Sequence, residues 1–283
     1  TALATGAARG TGRGSLAFVQ NDSIRLLDVD RLFVYTVTGS PFLPVRSPAW
    51  SPDGREIAFV RQNARRTGWS VYRMAANGRS IQRVTPQGDD VHVNPAWSPD
   101  GTRIAFDSTR GGSLDVYIIE LACAPDCAPR RVTTHPFADV SPAWSPDGRS
   151  IAFESSRDEH REIYRLDLES GSEHRLTVNR VPDRGPAWSP DGSQIVFARD
   201  RNLYVIDADC DARPEGCAAS EHPLLLVEQD AAAPAWSPDG RWIAFESWTD
   251  RRWPLFLLDV ETGVVERLTH GDTDAREAAW WPR

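Results

Sequence analysis

A twelve-residue motif occurs five times in the chain and limits the folds that the chain can adopt. The copies share PAWSPDG, two variable residues and an I-A-F or I-V-F triplet, and they begin at Pro48, Pro95, Pro142, Pro186 and Pro234. Their tryptophans and one in a shortened copy, AAWWPR, recur every 44 to 48 residues, at Trp50, Trp97, Trp144, Trp188, Trp236 and Trp280. This period, with strand-like rather than helix-like hydrophobic spacing, is typical of β-propeller blades.

The third copy and the residues after it contain four strands. Residues 142–144 begin the first strand, and residues 145–148 (SPDG) form a tight turn, because proline presets φ and glycine accepts a left-handed conformation. Residues 151–154, 162–167 and 174–177 supply the second, third and fourth strands. Four strands per unit at this period predict a propeller.

The two ends of the chain complete a sixth blade. The chain stops just after Trp280, with a first strand but no second strand, whereas residues 15–19 (SLAFV) match the missing second strand. Residues 23–29 and 32–38 then give its third and fourth strands. We therefore predict an all-β, six-bladed β-propeller of four-stranded antiparallel blades, closed by pairing of the N- and C-terminal strands. Residues 1–14 are assigned to a tail or linker, and residues 15–283 to a single propeller domain.

The repeat W-S-P-D-G-x-x-I-A-F, followed by an I-Y strand and an R-L-T strand, resembles that of the TolB-like propeller family. The resemblance extends from about Ser15 to Pro282. The family's best-known member has a small α/β domain before its propeller and binds partner proteins at the propeller, so the resemblance implies a protein-binding fold. Residues 1–14 are too short for such a domain, and we expect none here. The identity of a partner does not follow from the fold.

Composition and missing motifs argue against several functions. The net charge is −8, all 32 basic residues are arginine, and no basic run is long enough to indicate nucleic-acid binding. No apolar run approaches the ~20 residues of a transmembrane helix. The G-x-S-x-G motif of hydrolases and the H-E-x-x-H motif of metalloproteases do not occur. We therefore expect a non-enzymatic protein without a cofactor.

The four cysteines form two local pairs, each between the third and fourth strands of a blade. Because each pair lies within one hairpin, we predict the disulfides Cys123–Cys127 and Cys210–Cys217. Zinc is the alternative, but neither pair has the C-x2-C spacing that favours it. Disulfides, in a chain that begins at Thr1 rather than methionine, indicate a processed periplasmic or secreted protein.

Function is expected where the blades differ. The repeated SPDG aspartates are interpreted as turn caps and the repeated tryptophans as core between blades. On the opposite face lie the segments that join blades, five of which carry an acidic residue: Asp89, Asp90, Asp139, Asp183, Asp230, Asp272 and Asp274. Neighbouring loops add cationic and aromatic side chains: Arg61, Arg65, Arg66, Arg110, Arg157, Arg199, Arg251, Arg252, Trp248 and Trp253.

From this face we predict a ligand site at the channel mouth and rim. Its residues are His92, Asp139, Asp183, Asp230, Asp274, Arg66, Arg157 and Trp248. The carboxylates would form an acidic funnel and would not be needed to hold the blades together. The simpler interpretation is a solvated surface on which opposite charges pair weakly across loops.

These patterns favour a periplasmic or secreted scaffold that binds a protein or peptide, as a subunit of a larger extracytoplasmic or membrane-associated complex. Two alternatives stay open. One is a polysaccharide lyase-like enzyme with histidines, such as His92 and His135, and a metal at the channel mouth. The other is a structural propeller that binds Ca²⁺ through Asp139, Asp183 and Asp230, since hard cations prefer several carboxylate oxygens.

Overall fold

The computed structural model describes residues 13–39, 43–213, 216–225, 230–270 and 274–282, which form six four-stranded antiparallel sheets. Numbered from the channel outwards, blade 1 contains β4 (Val45–Trp50), β5 (Glu56–Gln62), β6 (Trp69–Ala75) and β7 (Gln82–Arg83). Blade 2 contains β8 (His92–Trp97), β9 (Arg103–Ser108), β10 (Asp115–Glu120) and β11 (Arg130–Arg131). Blade 3 contains β12 (Asp139–Trp144), β13 (Ser150–Ser155), β14 (Glu162–Asp167) and β15 (Glu173–Arg175).

The remaining blades follow the same order. Blade 4 contains β16 (Asp183–Trp188), β17 (Gln194–Arg199), β18 (Asn202–Asp207) and β19 (His222–Leu225), with short 3-10 helices at Cys210–Ala212 and Cys217–Ala219. Blade 5 contains β20 (Asp230–Trp236), β21 (Trp242–Trp248), β22 (Leu255–Asp259) and β23 (Val265–Arg267). Blade 6 contains β24 (Arg276–Trp280), β1 (Ser15–Gln20), β2 (Ser23–Asp28) and β3 (Phe33–Gly39).

The closure of the ring is the one that the sequence predicts. β24 pairs antiparallel with β1, with Trp280 opposite Leu16 and Ala279 opposite Ala17. The six-bladed, all-β fold is therefore confirmed, and the two ends of the chain meet within one sheet. Among the described residues, no helix has the length and hydrophobicity needed to cross a membrane.

The I-A-F triplets form the core because each second strand is covered on both faces by neighbouring blades. Six phenylalanines, one per blade, are at most 1% exposed: Phe18, Phe59, Phe106, Phe153, Phe197 and Phe245. Four of the six repeated tryptophans donate a hydrogen bond to the preceding blade. The Nε1 of Trp97 donates to the carbonyl of Ala49 at 3.1 Å, and that of Trp280 donates to the carbonyl of Ala235 at 2.9 Å. Their predicted place between blades is confirmed.

The SPDG turns are held by their own side chains. In the first turn, Ser51 Oγ donates to Asp53 Oδ1 at 2.7 Å, and the amide of Arg55 donates to the same oxygen at 3.0 Å. Gly54 has φ of 68°, a conformation that glycine adopts without steric cost. The hydrogen bond from Ser51 lowers the pKa of Asp53, and equivalent bonds lower that of Asp100 to about 2. The predicted capping role is confirmed.

The inner strands begin earlier than the sequence suggests. β12 starts at Asp139, three residues before Pro142, and a bulge separates the two parts of the strand. The bulge residue has a left-handed φ of 47° to 60° in all six blades: Ser47, Asn94, Ser141, Gly185, Ala233 and Glu277. Four of these N–H groups donate to buried carboxylates rather than to an ordinary strand partner. The bulges place several acidic residues within strands rather than in open loops.

Candidate functional site

The ring has two faces that differ in regularity. The turn face carries the SPDG turns and the hairpins between third and fourth strands, including both disulfides. The loop face carries the segments that join blades and those that join second and third strands. The sulfur atoms bond as Cys123–Cys127 and Cys210–Cys217, with Cα–Cα distances of 5.5 Å and 4.5 Å.

Two acidic residues of the predicted funnel are buried at the loop face. Asp139 and Asp183 are the first residues of β12 and β16, and both are 0% exposed. Arg157 approaches both carboxylate oxygens of Asp139 at 3.1 Å and 3.2 Å. Arg199 binds Asp183 through two parallel bonds of 2.6 Å and 2.8 Å.

The expectation that these two carboxylates lie in an open funnel and do not support the blades is therefore wrong. Both pairs join the first residue of an inner strand to an arginine at or just beyond the end of the neighbouring strand. The guanidinium of Arg157 also lies 4.4 Å from the ring centre of Tyr164, so it is held on two sides. A ligand-binding role for these residues stays a prediction.

The other predicted residues lie apart in different environments. His92 is 2% exposed and packs edge-on against Phe106, and burial lowers its pKa to about 4. Asp230 pairs with Arg201 Nε at 2.8 Å and is partly exposed. Asp274 accepts the amide of Trp253 at 2.9 Å. Asp272 lies outside the described residues.

The two sites considered for metal differ from what the alternatives require. His92 is buried in blade 2, whereas His135 stacks on Phe137 in the segment that joins blades 2 and 3. Asp139 and Asp183 already bind arginine. Across the described ranges, no group of three or more His, Cys, Asp or Glu is placed to hold a metal ion.

An aromatic hairpin projects from blade 5 on the loop face. Trp248, at the end of β21, is 41% exposed, and its ring centre lies 5.5 Å from that of Trp253 with the planes inclined by 54°. Between them, Thr249 and Arg252 exchange two backbone hydrogen bonds of 2.9 Å. The hairpin therefore presents its tryptophans from a closed backbone turn.

The turn residues of this hairpin are unusual. Asp250 and Arg251 have φ of 52° and 64°, the left-handed pair that a type I′ turn requires. Glycine is preferred at the second of these positions, yet arginine occupies it and projects its side chain outward. We call Trp248, Trp253, Arg251 and Arg252 the blade 5 patch.

The blade 5 patch carries positive charge that its surroundings do not neutralise. The acidic residues around it are each paired with another arginine, as Asp230–Arg201, Asp250–Arg267 and Asp274–Arg276. Arg251 and Arg252 are exposed and form no ion pair with any described residue. The patch is thus cationic and aromatic on a chain with net charge −8.

Arg66, the remaining predicted residue, is exposed in the β5–β6 loop of blade 1, with φ of 60°. It belongs to the same face as the blade 5 patch but to another blade. The structure therefore does not gather the predicted residues into one site. It separates two buried ion pairs from an exposed cationic surface.

Sequence reasoning missed a set of buried carboxylates around the channel. The Asp107, Glu154 and Glu246 side chains accept N–H groups from the bulge residues of the next blade, at 2.9 Å, 2.8 Å and 2.6 Å. Glu277 in turn accepts the amide of Ser47 at 2.5 Å. Burial raises the pKa of Glu246 to about 7. Three of these carboxylates could have been recognised in the sequence, because Asp107, Glu154 and Glu246 each directly follow an I-A-F triplet in an otherwise apolar strand.

Two cavities lined by described residues of the loop face, one beside the β5–β6 loop and one beside the β13–β14 loop, have volumes of about 260 Å³ and 230 Å³. Both are below the ~300–1,000 Å³ of typical small-molecule sites. The loop face therefore suits an extended or surface contact better than an enclosed small ligand.

Comparison with known proteins agrees with the fold. The solved structure of TolB from Acinetobacter baumannii superposes with a TM-score of 0.78 at 24% identity, covering 97% of this chain and 68% of that one. A putative TolB from Agrobacterium tumefaciens gives 0.71 at 24% identity, covering 97% and 100%. A puromycin-hydrolysing peptidase from Mycobacterium tuberculosis gives 0.59 at 18% identity, covering 93% and 44%.

These structural likenesses are below 25% identity and show the fold alone. No curated protein sequence matches the chain. The family model described as the TolB beta propeller domain matches residues 5–282, which is nearly the whole sequence and begins within the segment assigned above to a tail. The chain belongs to the TolB β-propeller family.

Proposed function

We propose that this propeller is a non-catalytic extracytoplasmic binding protein that recognises a peptide segment of a partner protein on its loop face. Membership of a TolB propeller family and the two disulfides support this class of function and this compartment. The partner would be a component of a larger extracytoplasmic or membrane-associated complex.

The observation that carries the proposal is the blade 5 patch. Tryptophan and arginine are the side chains most enriched among residues that dominate binding energy at interfaces. The closed hairpin holds both tryptophans before binding, which lowers the entropic cost of ordering them. Because Arg251 and Arg252 have no acidic partner among the described residues, the matching peptide carries carboxylates beside an apolar or aromatic side chain.

The geometry favours a peptide over an acidic polysaccharide. Sugar rings stack on a flat aromatic platform, whereas the planes of Trp248 and Trp253 are inclined by 54°. The Arg276 guanidinium lies 5.2 Å from the ring centre of Trp253 and covers it. Trp248, 41% exposed, stays accessible beside it and can contact one apolar side chain of a peptide.

A displayed library of random peptides tests the proposal. We expect selection on the wild-type protein to enrich acidic peptides with an aromatic residue, and their affinity to fall as salt screens the arginines. Trp248→Ala and the double substitution Arg251→Glu/Arg252→Glu should each weaken binding at least tenfold. Arg55→Glu reverses one arginine charge on the turn face, where the side chain is 85% exposed, and should leave binding intact.

Two results would overturn the proposal. One is enrichment of peptides whose binding survives both blade 5 substitutions. The other is binding of uronic-acid oligosaccharides, but not of peptides, that the same substitutions abolish.

A further inference from the structure

The outermost strand of blade 6 differs in length from its five counterparts. The fourth strands of blades 1 to 5 have two to four residues, whereas β3 has seven. β3 is the last strand in its sheet, with β2 on one side and no described strand on the other. Its outer edge therefore presents main-chain groups that can pair with another strand.

The other five outer edges carry residues that oppose such pairing. Natural proteins protect edge strands by short length, charge and proline. β11 is two arginines, β15 is Glu-His-Arg, and β19 contains Pro223. β7 and β23 carry Arg83 and Arg267. β3, with the sequence FVYTVTG, has neither charge nor proline.

Exposed hydrophobic side chains cluster at this edge. Leu32 is 47% exposed, Phe33 62% and Tyr35 44%, and no other three large exposed hydrophobic residues of the described chain lie so close in sequence. The rings of Phe33 and Tyr35 lie 6.2 Å apart on the same face of the strand. Val34, between them, packs against the core shared with blade 5.

The open part of the edge is short and symmetric. Leu32 has a left-handed φ of 51°, which ends regular pairing on one side. On the other side, Val37 forms a bulge, because Thr36 and Thr38 pair with neighbouring residues of β2 and Val37 has no partner there. The backbone of Gly78 in blade 1 lies against the carbonyl oxygen of Val37. The stretch 32–36 between them is centred on Val34, with an aromatic residue on either side.

We propose that β3 pairs antiparallel with β3 of a second copy of this chain, in a register centred on Val34. A two-fold axis through Val34 places Phe33 of each copy opposite Tyr35 of the other. Cross-strand aromatic pairs of this kind stabilise antiparallel sheets. Asp30 and Arg31 then lie opposite Thr38 and Val37, so no like charges meet.

Such pairing closes on itself. The contact uses the same edge in both copies, so it produces a dimer and leaves no free edge for a third chain. One short strand pair buries less surface than a standard stable interface, so the dimer is weak and depends on concentration. It lies at the rim of blade 6 and leaves the loop face accessible. The proposal is independent of the one for the blade 5 patch.

Sedimentation across a concentration series tests the dimer. Wild-type protein should shift from monomer to dimer, whereas Phe33→Lys and Tyr35→Lys should each stay monomeric with an unchanged thermal midpoint. Phe137→Lys is the matched control, because Phe137 is 58% exposed but lies outside any strand. A wild-type protein that is monomeric throughout, or a dimer that survives both lysine substitutions, would overturn the proposal.

The register is tested by cross-linking. All four native cysteines are in disulfides, so an introduced cysteine is the only free thiol. An oxidised mixture of the Phe33→Cys and Tyr35→Cys proteins should give more cross-linked dimer than either protein alone, because only the mixture places two thiols opposite each other. Equal yields in all three samples would rule out the register centred on Val34. Protection from hydrogen exchange, in a strict monomer, of the β3 amides that do not bond to β2 would assign the outer edge to another part of this chain and contradict the proposal.

Discussion

Individual acidic residues at the start of the inner strands stabilise the propeller through buried ion pairs. Asp183 is fully buried and accepts two bonds from Arg199, which lies over the ring of Tyr204 at 4.8 Å. Arg199 also pairs with the partly exposed Glu221, so removal of Asp183 would take away the buried one of its two carboxylate partners. By contrast, the Asp230–Arg201 pair is partly exposed, and exposed pairs contribute little.

We predict that Asp183→Asn destabilises the protein by about 1.5–3 kcal/mol, because Arg199 would lose its buried carboxylate partner and keep only Glu221. Asp230→Asn is the matched control and should cost at most ~1 kcal/mol. Urea denaturation followed by tryptophan fluorescence measures both. Equal effects of the two substitutions would show that burial of the Asp183 pair has no energetic consequence.

At the scale of strands, carboxylates next to the channel link one blade to the next. Glu246 of β21 accepts the amide of Glu277 in β24, and Glu277 accepts the amide of Ser47 in β4. These hydrogen bonds run from blade 5 through blade 6, the blade that combines β24 with β1, to blade 1. Burial raises the pKa of both side chains, that of Glu246 to about 7, and their mutual repulsion adds to the effect on Glu246.

The raised pKa of Glu246 predicts how stability depends on pH. The Glu246 carboxyl binds a proton more tightly in the folded protein than in the unfolded chain. The protonated carboxyl therefore makes its full contribution to stability below the unfolded pKa of about 4.3. It is lost as pH rises to about 7, at a cost on the order of 3 kcal/mol. Glu246→Gln keeps an acceptor for the amide of Glu277 and should flatten this dependence.

Denaturation midpoints of the wild type and of Glu246→Gln, measured on both sides of this pH interval, provide the test. The two proteins should differ most in their slope with pH. An unchanged slope in the variant would mean that another group titrates. Ser145→Ala, which removes the side-chain hydrogen bonds of an SPDG turn in blade 3, far from the Glu246–Glu277 contact, serves as the control for a general loss of stability.

At the scale of the whole molecule, the ring is stabilised by six similar blades and closed by one that combines both ends of the chain. Each core cluster lies between adjacent blades, so every blade depends on two neighbours. Removing β24 would take away Trp280, its hydrogen bond to Ala235 and the pairing with β1.

We predict that deleting residues 276–283 abolishes cooperative unfolding, because it opens an unpaired edge in blade 6 and exposes the core next to blade 5. Deleting residues 1–8 should leave the thermal midpoint nearly unchanged, since it precedes β1. Calorimetry compares the two truncations. Similar losses from both would contradict a closure that depends on β24.

The repeat alone was enough to predict the architecture. PAWSPDG and the I-A-F triplet encode a turn and a buried strand through local preferences, and their period counts the blades. The local cysteine spacing likewise led to the pairs that the structure forms. Trp248 could be named as an exposed aromatic residue because it departs from the repeat at the end of a strand.

Only the tertiary structure decided the environment of each charge. Asp139 and Asp183, each three residues before the proline of the motif, are fully buried against Arg157 and Arg199. Asp230, four residues before its proline, pairs with Arg201 and stays partly exposed. The open edge of β3 also depends on what the neighbouring blade covers. Sequence motifs determine local backbone geometry, whereas burial, ion pairing and free edges depend on which distant segments meet when the ring closes.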